Sequence, residues 1–215
     1  ETWYGWMDEG FNQYMNILSD ADRRGAPPSH DGQGRSYGRI SGDESEPPMM
    51  WNANYDGPSF YGFATYSKTP LMLSMLGGVV GSDTAVQRAH ADWSKAWMFR
   101  HPSPWDYMFF MNNALRGKAG DLSWFWNSWL FTTDGVDGSI ESGTTSGNKT
   151  IVTVRQTGQM PSPVVLSVQF SPTGPGIKAM ANSVMKDSTT AIVTWPADVW
   201  FPGDRTFKAA INFGV

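Results

Sequence analysis

The stretch Trp6-Met7-Asp8-Glu9-Gly10-Phe11-Asn12-Gln13-Tyr14 sets the reading of this chain. Trp6, Met7, Phe11, Tyr14 and Leu18 recur at helical spacing, so an amphipathic helix opens here. Glu9 falls on a different stripe, one turn after Trp6 and one turn before Gln13. Gly10, directly after the acid, costs a helix about 1 kcal/mol relative to alanine. A glycine at that point leaves room for something bulky, such as a neighbouring helix or a metal site. Taken alone, the pattern reads as a solvent-facing Glu on a first helix.

Working outward, residues 1–133 read as mostly helical, with one long loop over about 23–60. Arg23 to Asn54 is dense in Gly, Pro, Ser, Asp and Arg and has no usable periodicity. Its acidic cluster, Asp43-Glu44-Ser45-Glu46, reads as a solvated loop tip rather than a metal site. Pro70 suits a first helical turn, and Gly77-Gly78 or Gly81 would end that helix. Ser82 or Asp83 can cap the next, whose apolar stripe is Val86, Ala89, Trp93, Ala96 and Trp97. Pro102 stops it. Ser103 caps a third helix with Pro104 at its first position, and Leu122 to Phe131 makes a fourth.

From about Asp134 the composition changes. Asp137-Gly138 and Gly147-Asn148 are turn signals. Ile151 to Val154 and Val164 to Val168 are β-branched runs bounded by turn residues, and Thr189 to Thr194 and Thr206 to Phe213 repeat the pattern. Residues 134–215 therefore predict a small antiparallel β-sandwich, and the whole chain an α+β protein.

A formal net charge of −4 gives no basic footprint for nucleic acid. No apolar run approaches the roughly 20 residues of a membrane span. Cysteine is absent, which excludes disulfides and thiolate metal sites. Many aromatics together with abundant Gly, Asn, Ser and Thr favour a periplasmic or secreted protein.

Set beside later segments, the opening stretch resembles the third-ligand helix of the gluzincin zinc metallopeptidases, specifically the membrane alanyl aminopeptidase family. Tyr66-Ser67-Lys68-Thr69-Pro70-Leu71-Met72-Leu73 is similar to that family's Y-x-K-G segment and the helix after it. His101-Pro102 and Gly120-Asp121-Leu122-Ser123-Trp124-Phe125-Trp126-Asn127-Ser128-Trp129 resemble its H-P and G-x-D-L-x-W-F-x-x-W elements, in the same order. The resemblance implies that residues 1–133 are the C-terminal helical part of a gluzincin (thermolysin-like) catalytic domain, followed by a β-sandwich at 134–215. It implies zinc as cofactor, a peptide substrate, Glu9 as the third metal ligand, and Tyr66 as hydroxyl donor to the oxyanion of the tetrahedral intermediate. From its own chemistry Tyr66 reads as a buried core aromatic. Thr69 stands where the family usually has Gly.

The family's two zinc histidines and general-base glutamate come from H-E-x-x-H, which this chain lacks. Its histidines are His30, His90 and His101, and none lies four residues from another. His101-Pro102 reads as a helix-end cap or packing residue, and metal ligation by His90 or His101 is disfavoured. The expectation is a fragment of a larger polypeptide, inactive by itself. The N-terminal remainder, or another chain, would cover the helix at 6–14. The upstream segment of aminopeptidase specificity is also missing, so exopeptidase activity rests on the resemblance alone. The alternative is a non-catalytic binding or scaffold protein built on a degenerate peptidase fold. The Trp124, Trp126 and Trp129 cluster reads as core, with a carbohydrate-binding platform as its functional alternative.

Overall fold

Local capping chemistry places most of the helices. The computed structural model describes residues 3–52, 54, 57–170, 183–200 and 206–212. The chain divides into two compact units, Glu1–Asp134 and Gly135–Val215. Helices build the first and antiparallel strands the second, so the chain is α+β.

In the first unit a π-helical turn, Trp6–Gly10, runs directly into α1 (Phe11–Arg24), which Gly25 closes in left-handed conformation. α2 (Asp31–Ile40) and α3 (Pro58–Gly62) follow, and a second π-helical turn, Phe63–Lys68, leads into α4 (Thr69–Val80). α5 (Asp83–Trp97) starts where the Ser82 hydroxyl accepts from the Ala85 amide at 3.2 Å. α6 (Pro104–Ala119) opens with a full capping box: the Ser103 hydroxyl accepts from the Asp106 amide, and the Asp106 carboxylate accepts from the Ser103 amide at 2.8 Å. α7 (Ser123–Trp126) continues as a third π-helical turn, Asn127–Phe131. Among the described residues no helix is long and apolar enough to cross a membrane.

The aromatic stripe of the opening helix is buried within its own unit. The Phe11 ring lies 4.8 Å from His90, 5.4 Å from Trp93 and 4.7 Å from Tyr107, centroid to centroid, and Trp6 packs edge-on against both Phe11 and Tyr107. The expectation that another segment must cover Trp6, Phe11 and Tyr14 is corrected here. α5 and α6 already take those rings, in edge-to-face contacts worth about 0.5–1.5 kcal/mol each beyond the area they bury.

The long loop expected over about 23–60 is corrected too, because α2 lies inside it and α3 begins before its end. α2 is held by one anchor. Tyr37 is buried, with its ring 5.9 Å from Trp129 and 6.3 Å from Phe63, and its hydroxyl donates to the Asp134 carbonyl. Three glycines and a single large buried side chain leave no periodic stripe to read from the sequence.

The second unit holds two three-stranded antiparallel sheets. One has the order β1 (Gly138–Ser146), β2 (Lys149–Gln156), β6 (Thr206–Asn212); the other has β3 (Ser162–Gln169), β5 (Thr190–Trp200), β4 (Ser183–Met185). Gly147-Asn148 forms the two-residue connection between β1 and β2, whose register pairs Ser146 with Lys149. Val154 of the first sheet and Val164 of the second share an apolar cluster with Val152 and Leu166. Strands β1 and β4 escape the sequence reading. Every residue of β1 is exposed and most are Ser, Thr or Gly, so it carries no alternation and is ordered by pairing with β2. Phe213, expected to end the last strand, lies outside the described residues.

A close approach between helices in the first unit occurs at Gly10. A Cβ built there would lie 2.6 Å from the Thr69 Cβ and 2.7 Å from its Oγ1. Gly10→Ala is expected to destabilise the unit by about 1–3 kcal/mol through overpacking. Adding Thr69→Gly should recover part of that loss, giving a coupling that a urea-denaturation double-mutant cycle measures directly. Additive effects would show that the two residues do not meet.

Candidate functional site

The π-helical turns Trp6–Gly10 and Phe63–Lys68 pack on one another, and they carry the two residues singled out from the sequence. A π turn inserts one extra residue per turn, and such turns recur at functional sites. Glycines bracket the first turn. A Cβ on Gly5 would come within 2.7 Å of the Tyr61 ring and 3.2 Å of the Thr65 Cγ2, and a Cβ on Gly10 would strike Thr69. With no side chain at either position, the first turn accepts the Tyr61, Thr65 and Thr69 side chains from the continuous helical segment that carries Tyr66. The bulky neighbour that Gly10 admits is therefore the helix carrying Tyr66.

Glu9 is half-buried on the first turn. Tyr66 lies on the second and is 42% exposed, so the reading of it as a buried core aromatic is corrected. The structure thus brings the segments of Glu9 and Tyr66 together, although they are far apart in sequence.

Lys68, two residues beyond Tyr66, is fully buried. Its ammonium donates to Glu46 Oε1 at 2.6 Å, and the second Glu46 oxygen accepts from the Gly42 amide at 3.0 Å. The ammonium also sits 5.9 Å from the Phe63 ring centroid, within cation–π range. Glu46 closes the acidic cluster read as a solvated loop tip. Asp43, Glu44 and Ser45 are exposed as expected, but Glu46 is buried, and that part of the reading is corrected. A buried ammonium demands a counter-charge, and Glu46 supplies it. A lysine inside the apolar sequence from Phe63 to Leu73 was the available signal for a buried partner. Nothing in the sequence named Glu46, 22 residues away, as that partner.

The histidines take other roles. His90 is buried, with Nδ1 hydrogen-bonded to the Tyr107 hydroxyl at 3.1 Å, and burial pushes its pKa down to about 4. The same burial drives the Tyr107 phenol well above its usual range, so both groups stay neutral. His101 is exposed at the start of the turn leading into α6. His30 is half-buried and stacks on Tyr14 at 6.3 Å; burial depresses its pKa, partly offset by the nearby charges of Asp83 and Asp31. Among the described residues, no three His, Asp or Glu side chains are grouped to hold a metal ion. Phe125, Trp126 and Trp129 are buried in the core.

Two outcomes follow from these buried groups. Lys68→Met should cost about 3–5 kcal/mol, because it strands a buried carboxylate. The double variant Lys68→Met, Glu46→Leu should regain most of that loss, read as the midpoint of chemical denaturation. A double variant no more stable than the single one would refute the buried pair. For His90, the folded pKa lies below the unfolded value near 6.5, so the unfolded chain binds the extra proton. Its contribution is complete above pH 6.5 and is lost as pH falls towards 4, up to about 3 kcal/mol. Asp83, whose carboxyl is raised by burial, acts in the opposite sense. The informative quantity is therefore the difference between wild type and His90→Gln, whose stability should fall less steeply between pH 7 and 4.5.

Compared with family models and with curated protein sequences, the chain finds no match.

Proposed function

We propose that this chain supplies part of a zinc-dependent peptidase site, in which the Glu9 carboxylate is a metal ligand and the Tyr66 hydroxyl steadies the oxyanion. The observation that carries the reading is the glycine-bracketed crossing of the two π-helical turns, which sets these two residues on adjoining segments. The ordered resemblance to the gluzincin aminopeptidases supports the same pairing.

The donor chemistry of each residue fits its part. Glu9 offers a carboxylate on a helical turn whose flanking glycines are closely packed by neighbouring side chains, and a metal ligand must be rigid. Two imidazole ligands would come from outside this chain, as the H-E-x-x-H pair that the resemblance implies. A zinc ion bound there would activate a water and polarise the scissile carbonyl. A phenol is neutral at pH 7 and donates a hydrogen bond, and one such donor aimed at a developing oxyanion is worth about 2.7–4 kcal/mol of barrier. Lys68 takes no direct part in this scheme. Its buried pairing with Glu46 anchors the end of the turn on which Tyr66 stands. Peptides are the substrate class, and the aromatic-rich, Gly- and Ser-rich composition supports a periplasmic or secreted setting.

The test compares two variants in the full-length polypeptide. Glu9→Gln removes the ligand charge at nearly constant shape and should lower both bound zinc and activity. Tyr66→Phe should keep the metal and lower turnover by about 100- to 1,000-fold. Metal analysis and kinetics on aminoacyl fluorogenic substrates separate the two. Normal zinc content with an unaltered rate in Glu9→Gln would refute the ligand assignment.

A further inference from the structure

On its outer side α6 carries a stripe that the peptidase reading does not use. Phe109, Asn112, Asn113 and Arg116 are spaced three, four and seven residues from the first, so they share one helical face. With Gly120 and Asp121 they line an open cleft of about 330 Å³, at the small end of ligand sites, which run to about 300–1,000 Å³.

Two of its polar groups are held from behind. The buried Trp126 indole N–H donates to Asn112 Oδ1 at 3.1 Å, so the Asn112 amide presents its NH2 end towards Asp121 Oδ1, 3.5 Å away. Asp121 Oδ1 also accepts from the Ser123 amide at 3.0 Å and the Ser123 hydroxyl at 2.6 Å. Those bonds, with the Arg116 charge in a smaller part, hold the Asp121 carboxyl below the usual carboxylate range. Gly120, at φ 69° and ψ −138°, adopts a backbone open mainly to glycine, and the bend returns Asp121 to α6. Above these groups the Phe109 ring is 64% exposed.

The donor pattern selects the ligand. Arg116 and Asp121 cancel in formal charge, so the cleft has no net charge with which to attract an ion. It offers an acceptor-only carboxylate, a donor-only guanidinium and two amides that can do both. Vicinal hydroxyl groups, each able to donate and accept, match that set. The C–H face of a sugar ring fits an exposed aromatic ring. We propose that this cleft binds a neutral saccharide, its ring on Phe109 and its hydroxyls on Asp121, Asn112 and Arg116. The platform is thus Phe109, and the buried Trp126 beneath orients Asn112.

The experiment titrates the isotope-labelled 215-residue chain with maltose, cellobiose and diacetylchitobiose, with acetate and a short peptide as charged controls. NMR follows the Trp126 indole N–H and the Asn112 side-chain amide. At least one disaccharide should shift both signals with a dissociation constant of about 1 mM, little changed by added salt. Phe109→Ala, an exposed substitution that leaves the rest of the spectrum in place, should weaken that binding at least roughly tenfold. The proposal is overturned if no disaccharide moves these signals, if Phe109→Ala binds as well as wild type, or if a charged control binds more tightly than the sugars.

Discussion

The buried contact between Lys68 and Glu46 holds the surface loop of the first unit to the turn that bears Tyr66. Two charges removed from water are tolerated only when their remaining hydrogen-bonding capacity is met. That requirement reaches outward from the pair. Glu46 needs the Gly42 amide on its second oxygen, which folds residues 42–46 into a turn closed by the Glu46 amide donating to the Asp43 carbonyl at 3.0 Å. Beyond the turn, Met49 is buried, and the Met50 amide donates to the Leu130 carbonyl at 3.0 Å. The ion pair thus ties the segment after α2 to the Tyr66 turn, and the Met50 amide ties the same segment to the π-helical turn Asn127–Phe131.

Packing around the opening helix imposes a second constraint, and the two act on the same segment from opposite ends. The Trp6, Phe11, His90, Trp93 and Tyr107 rings lock the first turn and α1 onto α5 and α6. Gly5 and Gly10, lacking side chains of their own, leave room for the Tyr61, Thr65 and Thr69 side chains that meet that turn. The Tyr66 turn is consequently gripped by Glu46 at its Lys68 end and by the Glu9 turn along its length. This double anchoring holds the half-buried Glu9 and the partly exposed Tyr66 on neighbouring, well-packed turns.

Neutral burial sets the tone of the core between these anchors. His90 and Tyr107 satisfy one another through a hydrogen bond at 3.1 Å while both remain uncharged, so the buried pair carries no charge into the core at ordinary pH. On the outside of the same helix, Asn112 and Asp121 are oriented by Trp126 and Ser123. α6 thus has a dry aromatic inner side and a wet outer side with ordered polar groups, and the indole of Trp126 connects the two.

Features governed by a few neighbouring residues were legible in the sequence. Ser82, Ser103 with Pro104, and Gly81 mark helix ends because a cap is made by groups within one turn. The β-branched runs at 151–154 and 164–168 mark β2 and β3 because alternation is a property of the strand itself. What the sequence left open lies in contacts between distant residues. α2 exists because Tyr37 finds Phe63 and Trp129, and β1 because β2 offers it a hydrogen-bonding edge. Glu46 is buried because Lys68 needs a counter-charge, and Glu9 adjoins the Tyr66 turn because two glycines admit it. Local propensity and capping are read along the chain; desolvation and close packing are decided only when the chain closes on itself.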